Sequence, residues 1–141
     1  MLIGISPLLS PDLLHALASM GHGDEIVLAD ANFPAITLGR RVIHLPGVSA
    51  PAALQAVLSV MPLDSFVDQP ALTMQIVGDP QARPATVAEF DILLLQRGHK
   101  ASAALERQAF YQRAKQAFAV VATGELRTYG NILLKKGVIA A

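Results

Sequence analysis

Gly21-His22-Gly23-Asp24-Glu25-Ile26-Val27-Leu28-Ala29-Asp30 is the stretch on which the fold of this chain turns. Its apolar run has no polar alternation, the mark of a strand covered on both faces. The residues before it read as a helix. Ser10 can cap, Pro11 suits the first turn, and Asp12 complements the positive helix end. Leu13, Leu14 and Leu17 recur at helical spacing, and Gly21 is expected to stop the helix in a left-handed conformation. A helix leading directly into a doubly covered strand is an α/β signature.

The same alternation continues along the chain. Arg41 to Leu45 predicts a second strand, and Ser49 caps a helix with Leu54, Val57, Leu58 and Met61 on one face. Thr73 to Val77 predicts a short strand, followed by the turn-rich Gly78 to Pro84. Thr86 is expected to cap a helix carrying Val87, Phe90, Leu93 and Leu94, with Gly98 ending it. Residues 101–107 fit a helix or a strand. Phe110, Ala114, Ala117 and Phe118 predict a short helix, Ala119 to Ala122 a strand, and Ile132 to Leu134 the start of another. The expectation is one α/β domain over residues 1–141 with a largely parallel sheet.

Composition removes several function classes. The chain has no cysteine, so disulfides, thiolate metal sites and cysteine nucleophiles are excluded. Lys plus Arg equals Asp plus Glu, at 11 each, so no charge excess points to nucleic acid or an anionic membrane. Pro7 and Pro11 interrupt the apolar N-terminus, which lacks a cationic leader, and no run approaches a membrane span. A soluble cytoplasmic protein is expected. The chain is 52% hydrophobic and only 16% charged, against roughly 25% charged in typical soluble domains. So few charges predict apolar surface buried between subunits of an oligomer.

His22 is the first candidate for chemistry. An imidazole exchanges protons near neutral pH, and the flanking glycines allow a sharp bend and close ligand approach. Asp24 could hold one ring nitrogen. A polar helix C-terminus explains the same residues equally well. Asp30 follows a buried strand, where α/β sheets gather ligands and a carboxylate can accept hydrogen bonds from a polyol; a turn-forming Asp in Asp30-Ala31-Asn32 is the alternative. Tyr129-Gly130-Asn131 reads as a turn, or as a loop aiming a hydroxyl and a carboxamide at a ligand. Arg107 alone is uninformative. His22, Asp24, Asp30 and His44 have metal-ligand chemistry but not metal-ligand spacing. No dinucleotide fingerprint or Walker lysine is present, and neither a cofactor nor a metal is expected.

Taken together, these residues resemble the fucose mutarotase and ribose pyranase family over nearly the whole length. The resemblance is carried by three stretches: Ser6-Pro7-Leu8-Leu9-Ser10-Pro11 through Met20-Gly21-His22-Gly23-Asp24-Glu25-Ile26 to Asp30-Ala31-Asn32-Phe33-Pro34; Phe110-Tyr111 with Lys115 and Ala117-Phe118-Ala119; and Thr123-Gly124-Glu125 through Tyr129-Gly130-Asn131 to Val138. Residues 64–105 match weakly, and nothing is carried over from them. The resemblance implies a three-layer α/β/α sandwich in a ring, a homodecamer of two stacked pentamers. Its site would lie near a subunit boundary, with the C-terminal loop able to come from a neighbour.

It also implies proton transfer by His22, and sugar contacts from Asp30, Arg107, Tyr129, Gly130 and Asn131. Arg107 and Gly130 resemble the fucose branch; ribose-type members are similar in carrying a histidine and Tyr-Ala-Asn there. The implied reaction interconverts the α and β anomers of a free monosaccharide, most simply L-fucose, without a cofactor. The rivals are a pyranase acting on ribose, a non-catalytic sugar-binding accessory of uptake, and a metal-dependent enzyme.

Overall fold

A computed structural model of the chain describes residues 1–141. In chain order the elements are α1 (Pro11–Ser19), β1 (Glu25–Ala29), α2 (Ala35–Leu38), β2 (Val42–Leu45), α3 (Ala50–Leu58), β3 (Ala71–Met74), α4 (Ala85–Gln96), β4 (Ala103–Leu105), α5 (Arg107–Gln116), β5 (Ala119–Thr123) and β6 (Ile132–Lys135). The six strands form one sheet in the order β2-β5-β1-β6-β3-β4. The pairs β1–β5, β2–β5 and β3–β4 are parallel. Only β6, between β1 and β3, runs against its neighbours. The architecture is the expected three-layer sandwich with a mostly parallel sheet.

Alternation along β1 explains the layers. Ile26 and Leu28 enter the larger core beneath α1, α3 and α4, with Leu13, Leu54 and Phe90. Val27 and Ala29 face the opposite way and meet Phe110 and Ala114 of α5 and Ala35 of α2. Period-two alternation therefore feeds both layers, which is why the run carries no polar residue. The first core holds 25 buried residues and the second 11.

Several expected boundaries move, each for a local reason. The helix α1 does not stop at a left-handed Gly21. Its chain turns extended at Met20 (φ −63°, ψ 136°), and Gly23 is the left-handed residue, at φ 86°. The Lys136 ammonium donates to the carbonyls of Leu17 and Met20 at 2.8 and 2.6 Å, satisfying helix-end acceptors that a glycine stop would otherwise serve. Thr86 does not cap α4; Pro84 occupies the N-cap position, and the Thr86 hydroxyl is buried without a partner. Residues 103–105 resolve as strand, because Leu72, Thr73 and Met74 offer them a parallel ladder. That ladder also sets β3 two residues earlier than expected. The α5 helix starts three residues early, since the Glu106 carboxylate accepts the Gln108 and Ala109 N–H groups at 2.9 and 3.2 Å. Arg107 therefore stands on its first turn.

Candidate active site

His22 lies on the tip of the α1–β1 turn. Gly23 N–H donates to the Lys136 carbonyl and Lys136 N–H to that of Asp24, both at 2.9 Å. The Asp24 carboxylate closes the turn by accepting Gly21 N–H at 2.8 Å. It is therefore not the partner of His22. That partner is Asp64, whose Oδ1 stands 3.1 Å from His22 Nε2. Asp64 is 4% exposed while the imidazole is 46% exposed. The same Oδ1 accepts Phe66 N–H at 3.0 Å, and the Phe66 ring lies 5.5 Å from the imidazole.

Asp64 is held by backbone. Its N–H donates to Lys135 at 3.0 Å, and Gly137 N–H donates to Pro62 at 2.9 Å. A Cβ on Gly137 would lie 2.9 Å from Asp64 Cα and against the Leu63 carbonyl, so only glycine permits this approach. The Phe66 N–H, and then the His22 bond and charge, pull the Asp64 carboxyl below its ordinary value. An ionised carboxylate only accepts, so Nε2 carries the proton toward Asp64 and Nδ1 is left to work.

A second cluster sits where β1 ends. Asp30 N–H donates to Asn131 Oδ1 at 2.8 Å. The Asp30 carboxylate accepts Asn32 N–H on Oδ1 at 2.9 Å and Gly130 N–H on Oδ2 at 3.2 Å. Asp30 and Asn131 are 4% and 3% exposed. Tyr129 has a left-handed backbone, φ 60°, and its hydroxyl accepts Val77 N–H at 3.2 Å. Asp30, Asn32, Tyr129 and Asn131, with Arg107 and Thr128, line a cavity of about 200 Å³ whose apolar wall is Phe33, Met74 and Tyr111. That is below the range for drug-sized ligands and suits one small molecule. Arg107 takes part in none of the chain's ion pairs.

The two clusters do not meet in one chain. They occupy opposite ends of β1, whose five residues span about 16 Å at the usual strand rise. Asp30, Arg107, Tyr129, Gly130 and Asn131 come together; His22 does not join them. The Tyr129-Gly130-Asn131 loop reaches Asp30 of its own chain, so the distant element is His22 rather than that loop. The metal-ligand set falls apart for the same reason, and no three His, Asp or Glu side chains converge on a point. No helix is long and apolar enough to cross a membrane.

Charge separates the two carboxylates in acid. Burial pushes Asp30 above its ordinary 3.8, against the lowering effect of the Asn32 and Gly130 N–H groups. Its protonated form is thus favoured by folding, so Asp30 weakens the fold as pH rises through the raised value. Asp64, pulled down, contributes stability above its ordinary pKa, and that contribution is lost only as pH falls through the depressed value. Ligand binding at Asp30 is expected to fade on acidification while the fold still holds. Titrating ligand affinity and the melting temperature between pH 7 and 4 checks this; a coincident loss would contradict it.

A buried carboxylate, a carboxamide, a guanidinium and a tyrosine around a small cavity at the carboxyl edge of parallel strands are groups able to bond the hydroxyls of a polyol, set in an α/β fold. The chain matches the model of the RbsD / FucU transport protein family over residues 3–139. It belongs to that family.

The chain is 49% identical to the fucose mutarotase of Homo sapiens over 144 residues, covering 97% of this chain and 94% of that one. It is 47% identical to the L-fucose mutarotase of Haemophilus influenzae, covering 98% and 97%. The structure of the Streptococcus pneumoniae fucose mutarotase in complex with L-fucose superposes with a TM-score of 0.93 at 42% identity, covering 99% of this chain and 100% of that one. Bacillus subtilis RbsD complexed with D-ribose shares the fold, with a TM-score of 0.74 at 22% identity over 94% and 95% of the two chains.

Proposed function

We propose that the chain is a fucose mutarotase, an isomerase that interconverts the α and β anomers of L-fucose. The observation that carries this reading is the Asp30–Asn131–Arg107–Tyr129 cavity, in a chain 47–49% identical to fucose mutarotases over nearly its full length. Ring opening takes the proton from the anomeric hydroxyl and delivers one to the ring oxygen as the C1–O5 bond breaks and the C1 carbonyl forms. Reclosure on either face of that carbonyl reverses both transfers. His22, held by Asp64, moves protons through Nδ1. Asp30, Asn131, Arg107 and the Gly130 backbone hold the sugar hydroxyls. Tyr129 covers the apolar face of the sugar or supplies the second proton.

Because His22 and the cavity occupy opposite ends of β1, each catalytic unit is shared: the cavity of one copy is completed by His22 of another. Exposed Phe66 beside His22 and exposed Ile36 near Asp30, 75% and 72% accessible, support burial of these ends between copies. The low charge fraction supports the same reading. The working form is a cytoplasmic homodecameric ring in which residues 1–141 act as one domain.

Gly130 speaks against the ribose-type alternative. A Cβ there would lie 2.9 Å from Glu125 Cγ, so the Tyr-Ala-Asn loop does not fit this frame unaltered. The test is NMR saturation transfer between anomers for a panel of free sugars. L-fucose is expected to exchange fastest and D-ribose forms slowly. Saturable binding with no exchange would overturn the reading in favour of a non-catalytic binder, and activity abolished by chelator would favour a metal enzyme.

A further inference from the structure

The Tyr129-Gly130-Asn131 loop is held in a disfavoured shape, since Tyr129 is a left-handed residue with a bulky side chain. Such a conformation persists only where the surroundings fix it. Against this loop lies Glu125, which is 4% exposed and does not line the cavity. Its carboxylate accepts four bonds. Oε1 takes Arg127 N–H at 3.0 Å and Arg127 Nε at 2.9 Å; Oε2 takes Arg127 Nη2 at 3.1 Å and Ala50 N–H at 3.3 Å. The last anchors it to the first turn of α3, whose positive end favours an anion.

Arg127 extends the chain of charge to α4, donating through Nη1 and Nη2 to Glu89 at 2.7 and 3.2 Å. The Arg127 pairing holds the Glu125 carboxyl below its ordinary range. Glu125 also meets the backbone beside both Asp30 and Asn131. Its carbonyl accepts Ala31 N–H at 2.8 Å, one residue beyond Asp30. Its Cγ lies 2.9 Å from where a Gly130 Cβ would stand.

A buried carboxylate costs desolvation, and a merely packed loop would not need one. We infer that Glu125, locked by Arg127 and Glu89, is a positioning residue that sets the Tyr129-Gly130-Asn131 loop on Asp30 and so governs sugar affinity. It rests on the mutarotase reading for its activity readout but not for its structural one. It neither lines the cavity nor bonds His22, so its effect belongs in KM rather than kcat.

The test uses E125Q and R127Q of the full chain in its native assembly. In E125Q the KM for L-fucose is expected to rise about tenfold, the scale of a lost charge-assisted hydrogen bond, with kcat within about threefold. In R127Q the rise is about threefold, as befits a half-exposed ion pair. Salt near 0.5 M should move wild-type KM toward that of R127Q and leave R127Q unmoved. The amide signals of Gly130 and Asn131 should shift in both variants without sugar. Unmoved amide signals and unchanged KM in a folded assembly overturn the inference; a lowered melting temperature alone does too. If E125Q does not fold, R127Q and its salt response decide. If wild type exchanges no L-fucose anomers, the mutarotase reading fails, and the amide signals still judge Glu125.

Discussion

Replacing His22 by alanine is expected to slow L-fucose anomer exchange by about 10²–10⁴-fold, the usual contribution of a positioned acid–base group. The fold should be unaffected. His22 is half exposed on a turn tip, and the turn is closed by Lys136 and Asp24 whatever the tip residue is. Sugar affinity should also change little, since the cavity is lined by other residues. The effect therefore falls on kcat. Asp64→Asn should fall in the same direction and by less. A carboxamide can donate to Nε2 and reverse the tautomer, putting the proton on the nitrogen that must be free, as happens when the aspartate of a catalytic triad is amidated. NMR saturation transfer on both variants, with sedimentation to verify the assembly, measures this. Wild-type exchange in His22→Ala would sink the assignment.

Asp30→Ala is expected to abolish measurable sugar binding and to destabilise the fold. The substitution strands the Gly130 N–H in a buried place and leaves that of Asn32, an exposed residue, to water. The stranded donor costs about 1–3 kcal/mol. It acts where the loop is already disfavoured by Tyr129, so the loop should lift from β1 and take Asn131 with it. Asp30→Asn is milder, since its carbonyl oxygen still accepts from one of the two N–H groups. It should keep the fold and lose about 10²-fold in kcat/KM, the scale of one lost charged bond plus a misplaced loop. The acid fading of affinity attributed to Asp30 should vanish in it. Isothermal titration, a thermal melt and anomer exchange by saturation transfer measure these outcomes; wild-type affinity in either variant would contradict the role.

Much of the architecture was legible because it rests on local rules. The uninterrupted Ile26–Ala29 run reads as a doubly covered strand and is one, and Ser10-Pro11-Asp12 and Ser49 do cap α1 and α3. What stayed hidden depends on distant partners. Gly21 looked like a helix stop, but Lys136, 116 residues from Met20, supplies the cap. Residues 103–105 are strand because β3 is beside them, and their Ala-rich sequence carries no such signal. Asp24 was the near neighbour of His22, yet Asp64, 42 residues away, is the true partner. It lies where the family resemblance was weak, in a Leu63-Asp64-Ser65 stretch that marks nothing by itself. Asp30, Arg107 and the 129–131 loop were legible as a set only through the resemblance. Their separation from His22 was not legible at all, since sequence order places His22 eight residues from Asp30 while the strand puts them at opposite edges.

That separation makes the shared site the central claim, and mixing two inactive variants tests it most directly. His22→Ala subunits keep the cavity, and Asp30→Asn subunits keep the imidazole. Unfolded together in equal amounts and reassembled, they place an intact His22 beside an intact Asp30 cavity in about one site of four, if each site draws on two copies at random. Recovery of about a quarter of wild-type anomer exchange is expected from two preparations that separately show almost none. No recovery, in a mixed assembly of verified size, would mean that His22 and Asp30 serve the same sugar within one chain, and would contradict the shared site.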